Sequence, residues 1–220
     1  MRGLVAIVAV ALLFAAAAAS ATVFLYEDFE APPVGWNTIG QIEGEWGPSL
    51  WHGESHRSMS GGYSAAYNTG DPDYNYDVGT NWGLLNSPWV DLSSASHVQL
   101  DFYSWLETEN EPYVWDLSFL VLQGMGTPWV PYPFDFQMAP QSQWNHFSVN
   151  LHPLAGAPVP IRFGFLFNSI DDEANDYEGW YIDDVVLHDS CAPIPEPSTW
   201  LLLSTGLLGV GATVRRRLRG

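Results

Sequence analysis

Between residues 22 and 190 apolar and polar positions exchange every residue or two, and no stretch keeps the 3.6-residue period of a long helix. Short runs rich in β-branched and aromatic residues are separated instead by Gly, Pro, Asn and Asp. The runs 22–29, 63–68, 83–87, 98–106, 114–122, 144–150, 161–167 and 180–187 each predict a strand. In His97-Val98-Gln99-Leu100-Asp101-Phe102, the residues Val98, Leu100 and Phe102 share one face. In 161–167 the odd positions Ile161, Phe163, Phe165 and Phe167 form an apolar stripe, with Gly164 on the opposite side. Strands with a single greasy face pack on a partner sheet. The pattern predicts an all-β, two-sheet antiparallel jelly-roll sandwich, concanavalin-like in architecture, over residues 22–190.

The two ends follow another logic. Arg2, an apolar run from Leu4 to Ala19 and the small residues Ala19-Ser20-Ala21 read as a secretory signal peptide over 1–21, which implies export by the general secretory route. Residues 191–220 form a linker holding Cys191, then Pro195-Glu196-Pro197, an apolar helix over 200–214 and an arginine-rich end over 215–219. That helix is shorter than the roughly 20 residues that usually cross a bilayer. Arg215, Arg216 and Arg217 would stay on the cytoplasmic side. This order of parts resembles the PEP-CTERM protein-sorting signal of Gram-negative bacteria. The resemblance implies an exosortase as processing partner, transient anchoring through the sorting helix alone, and a cell-surface or matrix destination among exopolysaccharides and biofilm.

Charge narrows the partners. The chain has 7 Lys+Arg against 25 Asp+Glu. Without the two ends only Arg57 and Arg162 face 24 acids. Nucleic acid and anionic membrane both need basic patches, and both are excluded as principal partners. An aromatic share of 15% excludes a disordered acidic tail. One cysteine excludes a disulfide framework.

Tyr26-Glu27-Asp28-Phe29-Glu30 with Gly35-Trp36, then Trp82 to Leu92, Leu100 to Tyr103, and Gly179-Trp180-Tyr181-Ile182-Asp183-Asp184-Val185 follow one another in an order similar to the MAM-like jelly roll of bacterial choice-of-anchor surface proteins. The resemblance implies an extracellular adhesive or binding role and no reaction. It also implies a structural calcium where the first and last strands meet. The residues point the same way: Glu27, Asp28 and Glu30 open the domain and Asp183 and Asp184 close it, with few cations to balance them. Calcium accepts about 6–8 oxygen ligands. A weaker calcium candidate is Asp71, Asp73, Asn75 and Asp77, whose alternation starts like an EF-hand. It breaks that pattern at Tyr76, where glycine belongs, and at Trp82, where a bidentate Glu belongs. Asp171, Asp172 and Glu173 make a third acidic loop.

Catalysis finds little support. The six histidines are scattered, no His-Glu-x-x-His or Gly-x-Ser-x-Gly occurs, and 24 acids guarantee carboxylate pairs by number alone. The expectation is a non-enzymatic adhesive or structural domain, with other surface proteins or an extracellular polysaccharide as partner. The alternative is a carbohydrate-binding module. Sugar rings stack on exposed aromatic faces, and Trp46, Trp51, Trp89, Trp115, Trp129 and Tyr132 lie in or beside Gly/Pro-rich segments. Trp129 and Tyr132, in the proline-stiffened stretch 126–134, are the candidate platform. Ice binding is disfavoured because no flat Thr-rich repeat is present.

Overall fold

A computed structural model describes residues 22–189 apart from 48, 112, 113, 137 and 138. The signal segment, Cys191, Pro195, Glu196, Pro197 and the arginine cluster lie outside the described residues. Two antiparallel sheets carry the fold. The first has the order β12-β7-β14-β5-β4, with β1 also on β14: β1 Val23–Glu27, β4 Trp51–Glu54, β5 Ser64–Tyr67, β7 Val98–Glu107, β12 Trp144–Asn150 and β14 Gly179–Asp189. The second has the order β11-β10-β13-β6-β2-β3: β2 Asn37–Ile42, β3 Glu45–Gly47, β6 Asn81–Asn86, β10 Leu117–Gly124, β11 Val130–Asp135 and β13 Ile161–Asn168. A small ribbon pairs β8 Asn110–Glu111 with β9 Val114–Trp115.

The alternation read from the sequence is what the sheets bury. Val98, Leu100 and Phe102 of β7 meet Phe163, Phe165 and Phe167 of β13 across one core. Phe102 and Phe165 stand edge to face at 5.0 Å, and Trp180 meets Phe165 at 5.6 Å, a favoured arrangement for aromatic quadrupoles. Polar ends of core aromatics are satisfied: Trp180 Nε1 donates to Ser104 Oγ at 2.7 Å and the Tyr67 hydroxyl to Asn81 Oδ1 at 2.7 Å. Gly179 opens β14 at φ +82°, where a Cβ would stand 2.1 Å from the Tyr67 carbonyl oxygen.

Two strand expectations and the reading of the proline-rich stretch need adjusting. The run 114–122 breaks at Asp116, whose buried side chain turns to the Tyr76 hydroxyl, so it forms β9 and β10. The run 22–29 stops at Glu27, because Glu27 Oε1 accepts the Phe29 amide and Phe29 sits at φ 55°. The stretch 126–134 is a turn leading into β11, an edge strand, where prolines are tolerated. β2, β3 and β4 went unpredicted because they carry few apolar residues, as did the two-residue β8 and the proline-interrupted β11.

Candidate functional site

The seam between first and last strands forms as expected: β1 pairs with β14 from Val23↔His188 to Glu27↔Val185. The register between β14 and β7 slips between Asp183 and Val186, and Asp184 takes φ 49°, the signature of a bulge. Asp183 is fully buried. Its Oδ2 accepts the amides of Met59 (2.7 Å) and Ser60 (3.2 Å), and its Oδ1 accepts the amide of Asp184 (2.8 Å). Burial nonetheless pushes its carboxyl up to about 6. Asp184 Oδ1 accepts the Ser60 hydroxyl, and Glu30 Oε1 accepts the amides of Gly62 and Tyr63. Burial also raises Glu27. The Tyr26 hydroxyl reaches Asp28 Oδ2 at 3.3 Å.

These carboxylates therefore clamp the loop between β4 and β5 onto the seam. Among the described residues no group of three or more His, Cys, Asp or Glu is placed to hold a metal ion. A calcium ion here would have Glu30 and Asp184, on two sides of that loop, as side-chain ligands. Its remaining positions would have to come from backbone carbonyls and water. The weaker candidate is a surface turn: Asp71, Asp73 and Asp77 are exposed, and Asn75 Nδ2 donates to Asp176 Oδ1 at 3.1 Å. In the third acidic loop, Asp171 Oδ1 accepts the Glu173 amide.

The aromatic candidates divide. Tyr132 packs against the core and donates its hydroxyl to the Asn150 carbonyl at 2.8 Å, so it is no platform. Trp51 is also core. Trp129 turns to the outer face of the second sheet, and there the pairing registers assemble a larger surface.

Leu85, Leu120, Leu122, Phe163, Phe165 and Phe167 face the core, so their strand neighbours face out. Four rows result. Val130 pairs with Leu122 and Val90 bridges Ile161, which sets Trp129, Gln123, Arg162 and Trp89 in line. Next come Val121, Gly164, Asn86 and Asn37, then Phe119, Leu166, Leu84 and Ile39. The last row is Leu117, Asn168, Trp82, Gln41 and Trp46. Six residues of β13 separate the end rows, about 20 Å at ~3.3 Å per residue, the length of a short oligosaccharide.

Indoles stand at both ends. Trp46, 72% exposed, meets Trp82 edge-on at 5.5 Å, and Trp82 Nε1 donates to Gln41 Oε1 at 3.0 Å. At the other end the Arg162 guanidinium lies 4.6 Å from the Trp89 ring and 4.8 Å from the Trp129 ring. Between them, Asn86 Nδ2 donates to Asn37 Oδ1 at 2.9 Å, and buried Asn86 Oδ1 has no partner among the described residues. A Cβ on Gly164 would stand 2.7 Å from Leu84 Cδ1 and 3.0 Å from the Leu85 carbonyl oxygen, so the packing beside that amide has no room for a side chain. No Asp or Glu occurs in β2, β6, β10 or β13. The four central strands of this face are aromatic and amide-bearing and carry no carboxylate, which suits hydroxyl-rich rings, while Asp135 of β11 and Glu45 of β3 belong to its flanking strands.

A second concavity of about 670 Å³ opens between the edges formed by β2 and β4, lined by Phe29, Trp36, Trp51, Tyr63 and His52 among others. Two of its polar groups are committed internally: His52 Nδ1 to the Leu50 carbonyl at 2.8 Å, and Glu30 to the loop amides.

Sequence reasoning missed Trp82, Gln41, Asn86 and Arg162. The signal was present in the alternation of 161–167, whose even positions form this face, and in the lack of acids from Val78 to Val90.

The fold is an all-β jelly-roll sandwich similar to carbohydrate-binding modules. The module TmCBM61, solved in complex with β-1,4-galactotriose, superposes with a TM-score of 0.51 at 14% identity, over 76% of this chain and 97% of that one. The xylan-binding CBM22-1 domain of Paenibacillus barcinonensis Xyn10C gives a TM-score of 0.47 at 13% identity, over 80% of this chain and 100% of that one. Residues 193–217 match the PEP-CTERM protein-sorting motif, which marks the chain for export and surface sorting. Bacillopeptidase F of Bacillus subtilis (strain 168) is 29% identical over 168 residues. That match covers 76% of this chain but 11% of the relative, so the chain spans only a small part of that protein's length.

Proposed function

We propose that this protein is an exported, surface-sorted, non-catalytic binder of an extracellular polysaccharide, and that the outer face of the β11-β10-β13-β6-β2-β3 sheet is where it binds. The observation that carries this reading is the run of four neighbouring strands, β10, β13, β6 and β2, that carries aromatic and amide side chains but no acid in a domain otherwise crowded with carboxylates. Indoles at both ends would stack on sugar rings, and Asn37 and Gln41 would meet hydroxyls between them. The sandwich likeness to a module solved with a galactotriose supports the same reading. Adhesion within an exopolysaccharide or biofilm layer would follow, with calcium at the seam as a stabiliser of the fold rather than part of the binding face.

The test is binding to a panel of soluble polysaccharides by affinity electrophoresis. Trp46 is largely exposed, so Trp46→Ala should leave the fold intact while weakening retention about tenfold, the scale of burying half an indole face. Trp129→Ala should act similarly. Retention unchanged in both variants, or lost equally after Trp36→Ala in the edge cleft, would move the site away from this face.

A further inference from the structure

The domain's two arginines are treated differently. Arg57 is paired: its Nε and Nη2 donate to Glu178 Oε2 and Oε1 at 2.5 and 2.6 Å while its guanidinium lies 4.1 Å over Trp105. Arg162 makes one hydrogen bond to a side chain, from Nε to Gln123 Oε1 at 2.8 Å, and among the described residues no carboxylate lies within ion-pair distance. In a domain with 24 acids such isolation does not follow from composition. It follows from the strands around it, since neither β10 nor β6, which flank β13, contains an acid.

The side chain is also oriented. Two indoles hold its plane, and Gln123 fixes the Nε edge. What remains is the Nη1/Nη2 end, a planar fork of donors whose natural complement is a carboxylate.

We propose, resting on the polysaccharide reading of this face, that the ligand is an acidic polysaccharide and that Arg162 receives the carboxylate of one of its uronate residues. Trp89 and Trp129 then do two jobs: they present the guanidinium and stack on the rings flanking the charged sugar. The lack of carboxylates in β6 and β10, which flank Arg162, acquires a reason too, because a neighbouring Asp or Glu would neutralise the fork and repel the ligand. Long-range repulsion from the rest of the domain is screened within about 8 Å at physiological salt, so a short-range contact at Arg162 can select the ligand.

The experiment uses the full chain, in a detergent without a sugar headgroup, at physiological ionic strength. Alginate and polygalacturonate are each compared with the same polymer after its carboxyls have been reduced to alcohols, and with neutral xylan. The expected result is that reduction weakens binding by about tenfold or more, the scale of a charge-assisted hydrogen-bonded pair. Arg162→Gln should abolish that difference, so that native and reduced polymers bind the variant alike. Equal binding of native and reduced polymers by the wild-type chain would overturn the proposal, whatever the variant does. Binding of xylan but of neither acidic polymer would overturn it while sparing the polysaccharide reading. Retention of no polymer at all would overturn both.

Discussion

Asp116 gives the sharpest quantitative test of the packing. Its carboxyl is fully buried at the end of the sandwich, with Oδ2 accepting the Tyr76 hydroxyl and Oδ1 without a partner among the described residues. Burial pushes it up to about 7, with Glu109 and Asp171 adding negative potential. An unfolded Asp titrates near 3.9. The native state therefore holds a proton that the unfolded chain has released, and stability falls as pH rises from about 4 through 7. Three pKa units correspond to about 4 kcal/mol. Local relaxation and water entry reduce that to about 2–3 kcal/mol, or roughly 5–10 °C for a domain of this size. Asp183, up to about 6, adds a smaller slope of the same sign.

The assay is thermal unfolding from pH 4 to 9 in low salt and in 1 M NaCl. Asp116→Asn should match the wild type near pH 4 and exceed it by about 2–3 kcal/mol at pH 8. The general repulsion of the acidic surface also weakens the fold as pH rises, but it is nearly gone at a Debye length of about 3 Å. The contribution of Asp116 is internal and should survive that salt. A wild-type slope between pH 5 and 8 that vanishes in 1 M NaCl, or an Asp116→Asn variant less stable than wild type at pH 8, would refute the reasoning.

Asp183→Ala should leave the Met59, Ser60 and Asp184 amides without their acceptor and cost about 2–4 kcal/mol. Hydrogen exchange should rise at those three amides and not in β6 or β13; uniform loss of protection would show that Asp183 supports the core and not the loop. Chelation by EDTA should lower the wild-type melting temperature and have little effect on Asp184→Asn. No change in the wild type, with no calcium on metal analysis, would remove calcium from the seam and leave the binding face untouched.

The sandwich was legible because its inner faces obey a strict period of two. Ile161, Phe163, Phe165 and Phe167 announce both a strand and its buried side. The seam was legible because Glu27, Asp28 and Glu30 open the chain that Asp183 and Asp184 close. What could not be read was how those carboxylates are used, since accepting a loop amide and holding a cation require the same side chains. Tyr132 shows a related limit. Its proline-rich surroundings describe an exposed ribbon and an edge strand equally well, and only the register of β11 on β10 turns the ring inward. The binding face was hidden for another reason: Trp46, Trp82, Trp89, Arg162 and Trp129 come from five separate segments, and only the register brings them together.

That assembly changes what the domain's acidity means. If the acids served solubility alone, they would be spread over every outward-facing strand position. Instead β7 and β14 of the first sheet carry Asp101, Glu107, Asp184 and Asp189 besides the buried Asp183, while β2, β6, β10 and β13 of the second carry none and its outer strands β3 and β11 hold one each, Glu45 and Asp135. Leu84 and Val121 on that second face are nearly inaccessible to water yet lie outside the core cluster. Neighbouring side chains therefore already exclude solvent there. A polymer laid across β10, β13, β6 and β2 would have little bound water to displace from their floor and would meet one charged side chain of those strands, Arg162. The strands cleared of repulsive charge are those beside Arg162, a cation with no carboxylate within ion-pair distance among the described residues.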